Sequence, residues 1–235
     1  MGTRARSTTH DLTEGPRLRT VLGVSTSGGL RLLVFDTTCR PKGPGVGLST
    51  AWSVGARLYR ARGLVDASMG VRSWAEALSF LASHGGAEPI REIQYWGHGT
   101  FGKVWVAKDA LDTSRLASPE LRVPLDRVRD RLAAAREEGH EPLVWLRTCE
   151  AFGGPSGHTF AAALASRLGA RVAGHTHVIG VLQSGLVALR PGEAPSWPSS
   201  MGLGPRGERG HGLPSLPNEP NTVHFLTSRL PTYLG

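Results

Sequence analysis

The chain has 235 residues, enough to bury one full hydrophobic core, and its 40% hydrophobic and 20% charged content is that of a globular protein rather than a disordered or fibrous one. No apolar run approaches the roughly 20 residues that span a bilayer, which excludes a membrane helix. The formal charge of +8 attracts nucleic acid non-specifically, but the arginines are scattered rather than massed in a stripe, so the charge reads as the codon usage of a GC-rich bacterial genome.

The basic, polar stretch Met1–Arg19 lacks the apolar segment of a secretory signal and is expected to be a flexible tail, residues 20–235 forming a single domain. Two cysteines, Cys39 and Cys149, give no disulfide framework, and a reducing cytoplasm is the expected setting.

Leu30–Phe35 reads as the first core strand, preceded by a short strand at Thr20–Val24. The stretch Pro41–Gly70 is glycine-rich and reads as irregular. Within it, Gly43-Pro-Gly-Val-Gly47 lacks the Lys-Ser/Thr of a phosphate loop. Ser73-Trp-Ala-Glu76 is a capping box, and Trp74, Ala77, Leu78 and Leu81 recur at helical spacing until Gly85. The apolar run Ile93–Trp96 is a strand that ends in Gly97-His98-Gly99, and Lys103–Ala107 alternates as a small hairpin strand.

Pro124 is expected to open a helix with the stripe Leu125, Val128, Leu132 and Ala135, closed by Gly139. The next strand, Leu143–Leu146, runs into Arg147-Thr148-Cys149. Thr159 is expected to cap a helix that buries Phe160, Ala161, Leu164, Ala165 and Leu168 and stops at Gly169. Strands follow at Arg171–Ile179 and Gly185–Leu189. Then comes a Pro/Gly-rich loop over 191–220, and Thr222–Leu226 returns as a last strand. Strands alternating with helices predict an α/β fold, a three-layer sandwich with a mostly parallel central sheet covered on both faces.

In such a sheet, ligands bind at the carboxyl ends of neighbouring strands, and here two strands end in a histidine and a cysteine. An imidazole beside a thiol is the minimum apparatus for acyl transfer, because the base generates the attacking thiolate. Cys149 is thus the candidate nucleophile and His98 its base. Gly97 and Gly99 let the chain turn sharply, and the Gly99 amide can point at a substrate oxygen. His175 and His177, two apart on a strand, share a face and invite a metal reading. No further ligand cluster completes it, so neither metal nor cofactor is expected. Ser156 and His158 do not match the Gly-x-Ser-x-Gly elbow of serine hydrolases.

Tyr95-Trp96-Gly97-His98-Gly99 and Leu146-Arg147-Thr148-Cys149-Glu150, each ending a hydrophobic run, resemble the two catalytic blocks of the caspase-like cysteine peptidases, a group that includes caspases, metacaspases, gingipains and separase. The separation of 51 residues between His98 and Cys149 is similar to the roughly 50 of caspases. The segment Cys149–His158 with its following helix looks like the short bacterial members, and the similarity covers about Leu30–Leu189. The cysteine block departs from both Gln-Ala-Cys-Arg-Gly and Asp-x-Cys, which leaves substrate preference open.

The resemblance implies a caspase-like fold and an endopeptidase working through a Cys149/His98 dyad and a thioester acyl-enzyme. The Gly99 and Cys149 amides would form its oxyanion hole. It also implies a setting in bacterial regulated proteolysis or defence-linked cell death, with a protein or peptide substrate; a regulatory protein partner is expected for so short a chain, and the residues themselves point to neither membrane nor specific nucleic acid. The residue two before the cysteine lines the first specificity pocket in these families, so Arg147 would select an acidic residue. Asp36 and Glu150 offer alternatives: either neutralises Arg147 in an ion pair, and Asp36 itself binds a basic residue. The loop over 191–220 is expected to be mobile and open to cleavage after Arg206 or Arg209. The competing readings are a catalytically silent scaffold of the same fold and, less favoured, a basic nucleic-acid-binding protein.

Overall fold

The computed structural model describes residues 1, 28–41, 45–204 and 212–234. The expected tail, the strand at Thr20–Val24, and Arg206 and Arg209 lie outside the described residues.

In chain order the elements are β1 (Leu30–Asp36), α1 (Leu48–Ala61), β2 (Ala67–Val71), α2 (Trp74–Ser83), β3 (Ile90–Trp96), β4 (His98–Thr100), β5 (Lys103–Val106) and β6 (Asp109–Asp112). There follow α3 (Thr113–Leu116), α4 (Pro119–Glu137), β7 (Leu143–Arg147), α5 (Gly154–Leu168), β8 (Arg171–His175), β9 (Leu182–Gln183), β10 (Leu186–Leu189) and β11 (Val223–His224). Six strands form one sheet in the order β10-β8-β7-β3-β1-β2, all parallel except the edge strand β10. Two small antiparallel sheets, β4-β5-β6 and β11-β9, sit beside it. The fold is therefore α/β, with a mixed, mostly parallel sheet flanked by helices, which fits a three-layer sandwich.

Alternation along each strand splits the core between two faces. Leu32, Val34, Ile93, Tyr95, Val144, Leu146 and Val172 face α2, α4 and α5 in one continuous apolar layer. Leu33, Phe35 and Trp96 face α1, and Trp145, Ala173 and Leu186 face Val223, Leu230 and Leu234 near the C-terminus.

Three expectations are corrected. Pro41–Gly70 is not irregular, because it carries α1 and β2. Helix α1 buries only Gly55, Ala56 and Tyr59, too thin a stripe to read as a period. Gly55 sits at its closest approach, where a Cβ would come within 2.9 Å of the Phe225 and Trp96 rings. Helix α4 opens at Pro119 and holds Pro124 inside it, because Leu121 extends the buried stripe one turn earlier than Leu125. Helix α5 opens at Gly154 with a proline in its first turn rather than at Thr159, and its buried face already includes Gly157. The described parts of 191–220 hold no helix or strand, but Trp197 pins them down. It is buried, its indole N–H donates to the Phe152 carbonyl at 3.1 Å, and its ring stacks on Phe152.

Candidate active site

Strands β3 and β7 are neighbours at the centre of the sheet, and Trp96 pairs with Arg147 in their register. His98 and Cys149 each lie two residues beyond that pair, so the register alone brings both to the same sheet edge. The crossing is tight: a Cβ on Gly99 would meet the Cys149 carbonyl oxygen at 2.5 Å and Thr148 Oγ1 at 2.6 Å. Only glycine lets the His98 turn rest on the chain beneath it. His98 and Cys149 line one cavity of about 330 Å3.

The Cys149 thiol is half-buried, and its sulfur accepts the Ile179 N–H at 3.4 Å. Burial pushes its pKa above the ordinary thiol value; the Ile179 amide opposes this, and the negative charge of Glu150 adds to it. His98 is exposed at the cavity mouth, with the Trp52 ring edge-on at 5.4 Å. Its Nε2 lies 3.1 Å from the Sγ of Cys39, on the loop after β1. Sequence reasoning missed that contact, since Cys39 stands in an irregular stretch with no spacing to mark it.

Arg147 also lines the cavity, but its guanidinium is occupied. Nε and one amino group both donate to Gln183 Oε1, at 2.9 and 2.8 Å. The remaining donors reach the Tyr59 hydroxyl at 2.6 Å, the Phe225 carbonyl at 2.6 Å and the Thr227 carbonyl at 3.1 Å. All five of its N–H groups are thereby used. The rings of Trp145, Phe225, Tyr59 and Trp96 surround it, the nearest centroid 4.5 Å away. Burial lowers its pKa, and the facing Tyr59 oxygen opposes this. Arg147 thus ties the C-terminal segment to the sheet. An acidic side chain in the cavity would find no free donor on it.

Neither acidic candidate pairs with Arg147. Asp36 is 1% exposed and does not line the cavity. Its Oδ1 accepts from the Thr38 amide and hydroxyl, both at 2.7 Å, and its Oδ2 accepts from the Ala107 amide at 3.2 Å. It therefore braces the loop that carries Cys39 and leaves no oxygen facing a substrate. Glu150 is buried behind the cysteine at φ +55°, its amide donating to the His177 carbonyl at 3.0 Å, and its carboxylate lies against Gly212.

His175 ends β8 and His177 lies just beyond it, and each finds its own partner. His175 is fully buried, Nδ1 facing the Ser184 carbonyl at 3.1 Å and Nε2 receiving the Trp145 indole N–H at 3.4 Å. Burial, reinforced by the Arg147 charge, pulls its pKa down to about 3. The His177 Nε2 lies 3.4 Å from a Glu219 carboxylate oxygen. Among the described residues no group of three His, Cys, Asp or Glu is placed to hold a metal ion. No helix of the described residues is long and apolar enough to cross a membrane. No family model matches this sequence, and no curated protein matches it.

Proposed function

We propose that the chain is a cysteine endopeptidase of caspase-like fold, with Cys149 as nucleophile and His98 as general base and acid. The observation that carries this reading is the shared cavity: one thiol and one imidazole line it, delivered by the ends of adjacent central strands. In the resting protein the half-buried thiol, its pKa raised, holds its proton. When substrate enters, His98 takes that proton as the sulfur attacks the peptide carbonyl, forming the C–S bond. The imidazolium then protonates the leaving amine as the C–N bond breaks. Water, deprotonated by His98, then attacks the thioester carbonyl to form the new C–O bond; the C–S bond breaks, the acid product leaves, and the imidazolium returns its proton to sulfur. The Gly99 and Cys149 amides supply the oxyanion donors, each worth about 100-fold or more in rate. A protein or peptide is the substrate; the natural setting carried by the resemblance is regulated proteolysis in a bacterial cytoplasm.

The 3.1 Å contact between His98 and Cys39 favours a second reading, in which Cys39 is the attacking thiol and Cys149 lines the pocket. One experiment separates them. A peptidyl acyloxymethyl ketone should add one adduct to the wild-type chain, mapped to Cys149. Cys149→Ala and His98→Ala should each reduce peptide cleavage by a thousandfold or more, because nucleophile and base act as a unit. Adduct on Cys39, with cleavage surviving in Cys149→Ala, supports the second reading. Full cleavage in His98→Ala removes both.

A further inference from the structure

We infer that the cavity beside Cys149 is a subsite for an apolar side chain, aliphatic or aromatic, carried by the residue on the acyl side of the scissile bond. The identity of that residue rests on the peptidase reading; the chemistry of the pocket does not. The walls are the rings of Trp52, Trp96 and Phe225 with the side chains of Leu48, Ala51 and Val181.

Beyond His98 and Cys149 at its mouth, the polar side chains lining this cavity are already engaged. Arg147 has given all five donors to Gln183, Tyr59 and two backbone carbonyls. The Gln183 amide oxygen takes two of those bonds, and its nitrogen donates to the Gly180 carbonyl at 3.4 Å. The Trp96 indole N–H donates to Gln94 Oε1 at 3.0 Å. An aspartate entering this pocket would lose its water and gain no donor from Arg147, the one permanent cation among the described lining residues, without breaking that residue's bonds. An arginine or lysine would approach a buried guanidinium of like charge. A leucine or phenylalanine side chain loses nothing of that kind and covers wall area already turned to solvent, since Leu48 and Val181 are exposed. The volume of about 330 Å3 lies at the lower end of the range of ligand pockets, which suits one side chain rather than a large cofactor.

The test measures binding without catalysis. Full-length Cys149→Ala protein is titrated calorimetrically with acetyl-Ala-Ala-Ala-X-Ala-amide, X being Leu, Phe, Ala, Asp or Arg. The Leu and Phe peptides should bind at least tenfold tighter than the Asp, Arg and Ala peptides. Ala51→Trp, on the exposed side of α1, fills the pocket from its rim. It should erase the Phe advantage while weakening the Ala peptide less than threefold. Preference for Asp or Arg, equal binding of all five, no binding at millimolar peptide, or a Phe/Ala ratio untouched by Ala51→Trp each overturns the assignment. The same peptides are given to wild-type protein. If the apolar preference holds in binding but none is cleaved, the peptidase reading fails and the pocket assignment stands.

Discussion

The two faces of the central sheet are built on different principles. The face under α2, α4 and α5 is mostly apolar: Leu32, Val34, Ile93, Val144, Leu146 and Val172 meet Leu78, Leu81, Leu125, Leu132 and Leu164, and Arg131, buried beside them on α4, gives its donors to the Leu81, His84 and Glu88 carbonyls. The face under α1 and the C-terminal segment buries Arg147, Gln94, Gln183 and His175 among Trp96, Trp145 and Tyr59. Burying polar groups costs free energy unless each is hydrogen-bonded, so this face is stable only while its network is complete. The cavity opens on the second face. The apolar layer supplies stability, and the polar layer fixes the shape of the pocket.

Paired variants should expose that division. Leu132→Ala removes a fully buried side chain from the apolar face and should cost about 2–5 kcal/mol. Its effect should stop there, with the peptide preference unchanged. Arg147→Leu should cost a similar amount, roughly 3 kcal/mol or more, by leaving the Tyr59 hydroxyl, Gln183 Oε1 and two carbonyls without their donor. It should also release the Phe225 wall and flatten the preference between Phe and Ala peptides. Urea unfolding and peptide titration on both variants check this. A pocket unaffected by Arg147→Leu would break the comparison.

A second, smaller difference lies in the response to acid. His175 belongs to the polar face, and its folded pKa of about 3 is far below that of an unfolded histidine, about 6.5. The unfolded chain therefore binds the extra proton first, and stability falls as pH drops from about 6.5 toward 3. The loss is at most about 1.4 kcal/mol per pH unit for one such group. His177, also pushed down by burial, adds in the same direction. His175→Gln should be less stable than wild type at pH 7 but lose less stability between pH 6.5 and 4. Parallel stability–pH curves for the two proteins would remove His175 as the acid-sensitive element.

The apolar face was also the legible one. Its helices announce themselves through period and caps: Ser73 caps α2, accepting the Glu76 amide, and Gly169 ends α5 at φ +58°. The positions of His98 and Cys149 were legible too, because apolar runs show where strands end. The polar face was not. Helix α1 carries its contact through Gly55 and Ala56, which leave no hydrophobic signal, and β2 is five residues with a glycine at its fourth. The duty of Arg147 depends on Tyr59, Gln183, Phe225 and Thr227, residues brought from far along the chain that no local pattern links. An arginine two residues before a cysteine reads as a selector until its five donors are traced.

The smallest expected effect concerns Cys39, and it decides how the two thiols divide the work. In the resting structure His98 Nε2 is engaged by Cys39, on the loop braced by Asp36, rather than by the thiol that lines the cavity with it. If Cys149 is the nucleophile, that contact must be given up before His98 can serve it. A net contact of about 1 kcal/mol held only in the resting state lowers the rate by roughly fivefold. Cys39→Ala should then raise kcat/KM for the apolar peptides by up to about fivefold, with stability changed by less than about 1 kcal/mol because the residue is only half-buried. The rise should be matched by faster alkylation of Cys149, since the freed imidazole can draw its proton. If Cys39→Ala instead loses a thousandfold or more, Cys39 is the nucleophile and the cavity thiol is part of the pocket wall. An unchanged rate means the contact carries no cost to catalysis, and the loop after β1 is then simply the rim of the site.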